Sequence, residues 1–174
     1  MKPAAVALVL ALSLGPGQAR AAEGTRAGDV AAVALPAGAA VGALVAKDHR
    51  GLAQLAESYA AAMAVVYVLK PLVDRTRPDG GHQSFPSGHA TSAFVGAAFL
   101  QMRYGWAVGL PAYAVATYVG YSRVEADRHH PSDVVAGAAI GIAANLVLTR
   151  GREHVTVLVD LGRGHAGTSI AVAW

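Results

Sequence analysis

Cysteine is absent from the 174 residues, so the chain carries neither disulfides nor thiolate metal ligands. Charge is scarce as well. Asp, Glu, Lys and Arg make up 14% of the chain, against about 25% in an ordinary soluble domain. No HExxH, EF-hand or P-loop pattern occurs, and no repeat stands out from an alanine and glycine bias. The net charge of +3 is small and scattered, which fits orientation in a bilayer and not nucleic-acid binding. What is abundant is apolar: 54% of residues are hydrophobic. Low charge with many small residues points to helices packed closely in lipid, and the length suits one domain.

The opening 22 residues read as an export signal. Lys2 is the charged start, Ala4 to Leu14 the apolar stretch and Ala19-Arg20-Ala21 the cleavage site. The alternative is an uncleaved first membrane helix. A polar stretch, Glu23 to Asp29, comes next. Apolar segments then run over Val30 to Ala46, Leu52 to Leu69, Ala90 to Met102, Trp106 to Tyr121 and Val134 to Leu148. Each is near or below the ~17-residue minimum for spanning, and the third reaches it only if its helix begins at Ser87. The expected fold is therefore an all-α integral membrane bundle of about five spans, or six with an uncleaved signal. With the new N-terminus outside, Lys47, Arg50, Arg103, Arg150 and Arg152 fall inside, as the positive-inside rule requires. Two β-prone runs, Val155 to Leu161 and Thr168 to Trp174, flank a glycine-rich turn and predict a short C-terminal β-hairpin. The expected domains are residues 1–22, signal; 23–153, helical membrane domain; and 154–174, hairpin tail.

Three polar runs stand out from this apolar background: Lys70-x6-Arg77-Pro78, Pro86-Ser87-Gly88-His89 and Ser122-Arg123-x5-His129-x3-Asp133. On the topology above, all three lie at the outer side. Ser87 is a natural helix N-cap and Gly88 permits close backbone approach, so the following N–H groups suit an anion. His89 then stands in the first turn. Pro131 suits the first turn of another helix, and Asp133 falls where the dipole favours a carboxylate. From there Asp133 can accept a hydrogen bond from one nitrogen of His129 and leave the other free to attack. Lys70, Arg77 and Arg123 supply positive charge for a phosphoryl group in transfer. A bland reading stands beside each: Lys70 and Arg123 as interface anchors, the His-Asp pair as a simple cap, and Ser87 with His89 as a cap and a surface histidine. Arg75 and Arg128 read as interface anchors. His130 reads as a bystander, His49 and His82 as exposed loop histidines, and Glu125 and Asp127 as loop solvation.

Together the three runs resemble the signature motifs of the type 2 phosphatidic acid phosphatase family, which includes membrane lipid phosphatases, bacterial acid phosphatases and vanadium haloperoxidases. Every motif position matches, from Lys70 to Asp133. The resemblance implies that His129 is a nucleophile forming a phosphohistidine. It implies that Asp133 positions His129, and that His89 protonates the leaving group and then activates water. Lys70, Arg77, Ser87, Gly88 and Arg123 would hold the phosphoryl oxygens. No metal or cofactor is implied, and no nucleic acid. The expected partners are the bilayer and a lipid phosphate or pyrophosphate: polyprenyl pyrophosphate, phosphatidylglycerophosphate, phosphatidic acid or lipid A phosphate. The expected place is a bacterial inner membrane, with the site facing the periplasm. The rival readings are a soluble periplasmic acid phosphatase, a vanadium haloperoxidase and a non-catalytic lipid-binding protein.

Overall fold

The computed structural model describes residues 16–151, 154–162 and 165–173, with side chains described for residues 25–151. Five helices carry the fold among these residues: α1 (Pro16–Val45), α2 (His49–Val73), α3 (Gly88–Tyr104), α4 (Trp106–Glu125) and α5 (Pro131–Leu148). Strands β1 (His154–Gly162) and β2 (His165–Ala173) follow, paired antiparallel with His154 opposite Ala173.

The helix ends follow local chemistry. Asp48 caps α2 by accepting the N–H of Gly51 at 2.9 Å. Ser87 caps α3 through the N–H of Ala90. The third segment therefore gains a turn over its apolar core and reaches 17 residues. Pro131 opens α5, where its missing N–H costs nothing. Two boundaries differ from the sequence expectation. Helix α2 runs past Lys70 through Pro71 to Val73. Helix α1 continues unbroken through the polar stretch of residues 23–29, and through Ala19-Arg20-Ala21. Contacts with α4 decide this: Arg123 donates to the Thr25 carbonyl and to Asp29, which outweighs the weak helix propensity of a glycine-containing polar run. The first 15 residues of the expected signal lie outside the described residues.

Helix α3 is the centre of the bundle, packed against each of the other four. Its sequence permits this, because small residues are frequent and the long polar side chains, Gln101 and Arg103, come only in its last turn. Ala93 and Ala97 pack with Ala32, Ala112, Ala116 and Val119 on one side. Val95 and Phe99 pack with Ala39, Leu55 and Ala62 on another. Against α5 the backbones approach closely. A Cβ on Gly137 would come within 2.5 Å of the Ser87 carbonyl, and one on Gly141 within 2.8 Å of the Thr91 carbonyl. Only glycine fits there. The result is a backbone hydrogen bond from the Ser87 N–H to the Asp133 carbonyl, 3.0 Å, joining the starts of the two helices.

The outer surface is apolar. Val33, Val41, Leu72, Leu110, Val135, Leu146 and Val147 all face outward. Segments Thr25–Val45, His49–Val73 and Pro131–Leu148 are long and apolar enough to cross a membrane. Polar groups inside the bundle are paired with one another. Asn145 donates to the carbonyls of Val95 and Gly141 and accepts from Thr149, whose hydroxyl meets Ser58.

One end of the bundle is closed by a buried ion pair. Asp48, between α1 and α2, takes two hydrogen bonds from Arg103 at the end of α3, 2.6 and 2.7 Å. It takes a third from the Tyr104 hydroxyl. The Arg103 hydrogen bonds hold the Asp48 carboxyl well below the usual carboxylate range. Arg103 also donates to the carbonyls of Arg150 and Gly151 beyond α5. The sequence reads Arg103 as an orientation charge, whereas it is a buried clamp between three chain segments. Arg103→Ala would leave a buried carboxylate uncompensated and should destabilise the bundle by about 3–5 kcal/mol. Unfolding in a denaturing-detergent titration measures this; an unchanged midpoint would contradict the clamp.

Candidate active site

The α2–α3 loop, residues 74–87, and the α4–α5 loop, residues 126–130, meet at the opposite end. Asp79 N–H donates to the Asp127 carbonyl at 3.0 Å, and the His130 ring lies 3.1 Å from the Thr76 carbonyl through Nε2. The N-terminal half of α1 closes the third side through Asp29 and Thr25.

Two cavities open here. The smaller, about 140 Å3, is lined by Thr25, Asp29, Arg77, His89, Arg123, Arg128 and His129. The larger, about 300 Å3, is polar on one wall, with Lys70, Arg77, Gly88, His89, Ser92 and His129. Its other wall carries Ala32, Val33, Tyr59, Met63, Val66 and Tyr67. Arg77, His89 and His129 line both cavities. The two imidazoles that stand 40 positions apart in sequence thus share one space.

His129 is buried at the foot of this space. Its Nδ1–H donates to the Ser84 carbonyl at 2.8 Å. That bond fixes the tautomer and leaves the Nε2 lone pair toward the cavity, where no described residue hydrogen-bonds to it. The sequence expects Asp133 in the role that Ser84 fills. Asp133 is 3.9 Å from Nδ1 and engaged elsewhere. Its fully buried carboxylate accepts the Ser84 hydroxyl at 2.5 Å, the His130 N–H at 3.0 Å and Arg75 at 2.8 Å. Asp133 therefore reaches His129 through Ser84 and not directly.

Burial pushes the His129 imidazole down to about 4 from its ordinary value of 6.5. The Ser84 carbonyl and Asp133 oppose this shift, while Arg77 and Lys70 add to it. At neutral pH the ring is uncharged, as a nucleophile or base must be.

The positive groups are arranged around the rings. Arg77 carries a buried Nε with no hydrogen-bond partner among the described residues. An orphaned donor of this kind costs about 1–3 kcal/mol unless something fills the space beside it. Lys70 lines the larger cavity and donates Nζ to the Gln83 carbonyl. Arg123 is buried, paired with Asp29 and the Thr25 carbonyl. The first-turn N–H groups of Gly88 and His89 have no intrahelical acceptor and sit at the positive end of α3. Ser87 and Asp133 line neither cavity. Ser87 is buried as the cap, its hydroxyl turned to Ala90.

Four residues that matter here were passed over or read otherwise in the sequence. Arg75, read as an interface anchor, is an ion-pair partner of Asp133 and also donates to Ser132. Ser84 links Asp133 to His129, and nothing in its residue type marks it. Asp29 bridges Arg123 and His89; its signal was a carboxylate at the mouth of an apolar segment. Arg128 pairs with Asp79 at the exposed rim but also lines the smaller cavity. His49, His82, Glu125 and Asp127 are exposed, as expected, although His49 opens α2 and Glu125 closes α4 and so neither lies in a loop.

Ser84→Ala removes the hydroxyl and leaves one Asp133 oxygen short of a donor, worth about 1–3 kcal/mol. If Asp133 acts through Ser84, turnover should fall about tenfold to a hundredfold with little change in KM. Steady-state kinetics on the variant check this, and wild-type kcat would sink the linkage.

Comparison with known proteins places the chain in a family. The model of the PAP2 superfamily matches residues 51–155. A lipid A 4'-phosphatase of Helicobacter pylori is 36% identical over 109 residues, covering 56% of this chain and 55% of that protein. A lipid A 1-phosphatase of Porphyromonas gingivalis is 44% identical over 73 residues, 39% of this chain and 16% of the relative. The chain thus spans about half the length, or less, of these curated relatives. Among solved structures, Aquifex aeolicus LpxE shares the fold with a TM-score of 0.66 at 22% identity, covering 78% of this chain and 87% of that one. A transmembrane PAP2 type phosphatidylglycerolphosphate phosphatase from Bacillus subtilis gives 0.59 at 25% identity, over 83% and 81%. The matched span holds every motif residue from Lys70 to Asp133, and on that match the chain belongs to the PAP2 superfamily.

Proposed function

We propose that this protein is a phosphatase of membrane lipids, removing a phosphate from a lipid phosphate or pyrophosphate. The observation that carries this reading is the convergence of Arg77, His89 and His129 on both cavities, with an Arg77 Nε that is buried and has no hydrogen-bond partner among the described residues. A space lined by Arg77, Arg123, Arg128 and the first turn of a helix suits a phosphoryl group. The apolar wall of the adjoining cavity suits the body of a lipid. Outward-facing apolar residues on α1, α2 and α5 favour a membrane enzyme over a soluble acid phosphatase.

In the proposed reaction, His129 Nε2 attacks phosphorus in line with the leaving oxygen. The P–O bond breaks as the N–P bond forms, and His89 gives the leaving oxygen its proton. His89, now neutral, takes a proton from water. The resulting hydroxide displaces His129 and releases inorganic phosphate. Lys70, Arg77, Arg123 and the N–H groups of Gly88 and His89 stabilise the equatorial oxygens, with Ser87 and Gly88 shaping that turn. Asp133 holds Ser84, and Ser84 holds His129. The basic residues at the Asp48–Arg103 end favour a cytoplasmic position for that end, which supports a site facing the periplasm from an inner membrane. The names of the relatives make lipid A phosphates the first substrates to try, followed by phosphatidylglycerophosphate, phosphatidic acid and polyprenyl pyrophosphate.

The decisive experiment is phosphate release by the purified full chain from such a panel in detergent. His129→Ala should lower turnover by at least about a thousandfold while the protein stays folded. Wild-type turnover in that variant would remove His129 as nucleophile. Because side chains supply the positive charge, activity should survive EDTA; a loss restored by magnesium or zinc would overturn a metal-independent mechanism.

The depressed His129 value sets the acid limit. Above about pH 4 the ring is neutral and can attack; below it Nε2 is protonated. The kcat/KM profile should therefore hold through mildly acidic pH and fall with unit slope only near pH 4. Stability follows the same linkage. Between 6.5 and about 4 the unfolded chain binds a proton at His129 that the folded chain refuses, so stability declines as pH falls through that window. An acid limb near 6.5 would show that His129 titrates normally.

A further inference from the structure

Asp29 is the one carboxylate lining the smaller cavity among the described residues. One of its oxygens, Oδ1, meets His89 Nε2 at 3.0 Å and Arg123 at 2.5 Å. The placement is built and not incidental. Arg123 also donates to the Thr25 carbonyl, one turn earlier on α1, at 2.6 Å. Between these two anchors lies Gly28, where a Cβ would collide with the Ser122 hydroxyl and the Arg123 guanidinium. Helix α1 thus presses its backbone against the end of α4 and carries the carboxylate to the imidazole.

The charges facing His89 are otherwise positive. Arg123 comes from α4, Lys70 from α2, Arg77 from the α2–α3 loop and Arg128 from the α4–α5 loop, with His129 across the shared space. Such a setting opposes protonation of an imidazole, yet the proposed reaction needs His89 to begin as an acid. Asp29 is the counter-charge in hydrogen-bond reach.

We propose that Asp29 is a positioning residue for His89: its carboxylate holds the Nε2–H, favours the charged ring and leaves Nδ1 as the nitrogen that exchanges protons with the reacting oxygens. This rests on the phosphatase reading and extends it. In the first half-reaction Nδ1–H passes its proton to the leaving oxygen as the P–O bond breaks. The ring is then neutral with its remaining proton on Nε2, still bonded to Asp29. In the second half-reaction the Nδ1 lone pair takes a proton from the attacking water. Asp29 stays ionised throughout and no proton is lost or gained over the cycle. One fixed hydrogen bond thereby serves both halves.

The test compares the full wild-type chain with Asp29→Asn, Asp29→Glu and Asp29→Ala in detergent micelles. Asparagine keeps an acceptor but removes the charge. In Asp29→Asn the basic limb of the pH–rate profile should move down by about one unit or more. kcat at neutral pH should fall with KM little changed, and glutamate should restore part of the loss. A second readout needs no turnover. Nitrogen NMR of 15N-histidine-labelled protein, with His89 assigned by its loss in His89→Gln, should show Nε2–H as the neutral tautomer in the wild type. The protonation midpoint of His89 should drop in Asp29→Asn. Identical His89 titrations in the two proteins would overturn the proposal. So would an unchanged kcat with several-fold tighter inhibition by inorganic phosphate, which would make Asp29 a rival anion for Arg123. If the wild type shows Nδ1–H instead, the assignment fails without any substitution. Should the NMR behave as expected while no lipid phosphate is hydrolysed, the phosphatase reading fails and the Asp29–His89 pair stands.

Discussion

The site depends on how closely α3 and α5 approach. With hydrogen in place of a side chain at Gly137 and Gly141, two helix backbones come near enough for the Ser87 N–H to reach the Asp133 carbonyl. That bond locks the starts of both helices in one register. His89 and His129 then have no choice but to open onto the same space. A methyl group at Gly137 would force the Ser87 carbonyl aside, and the turn that presents Gly88 and His89 would move with it. Catalytic geometry tolerates little of this, because misplacement by about 1 Å can cost a hundredfold in rate.

A chain this poor in charge places what it has at the two ends. At one end Asp48, Arg103 and Tyr104 form a closed set, with donors and acceptors matched and the ring of contacts tying α1, α2, α3 and the exit from α5. At the other end the sets are left open. Among the described residues Arg77 has a buried donor without a partner and His129 a ring nitrogen without one, while Arg123 leans on a carboxylate. The physical contrast between a satisfied cluster and an unsatisfied one separates a structural feature from a candidate active site, although both are built from the same residue types.

Membership of the PAP2 superfamily explains why so short a chain can hold a complete set of motif residues. The family span, residues 51–155, includes α2 to α5 and both motif loops. Helix α1 lies before it, yet it contributes Asp29, the Thr25 carbonyl and, with Ala32 and Val33, part of the apolar wall of the larger cavity. On the proposed reading most groups around phosphorus lie in the shared part, Asp29 is added from α1, and the lipid would meet Val33 of α1 together with Tyr59, Met63 and Tyr67 of α2.

Much of this was legible in the residues alone. Low charge and successive apolar runs close to spanning length point to a helical bundle in lipid, because exposed apolar faces need an apolar solvent. Ser87 and Pro131 announce helix starts through local hydrogen bonding and ring geometry. Lys70, Arg77, His89, Arg123 and His129 are chemically marked, and each lines a cavity at one end. Only the folded chain could decide which partners these groups take. His129 Nδ1 is 2.8 Å from the Ser84 carbonyl and 3.9 Å from Asp133, a choice set by the path of the loop, which spacing does not encode. Arg75 reads as an interface anchor and Asp29 as part of a polar stretch until distant helices bring Asp133, Arg123 and His89 beside them. Local sequence specified the reactive groups because reactivity resides in residue type; tertiary structure assigned their partners because electrostatic pairing depends on distance across the fold.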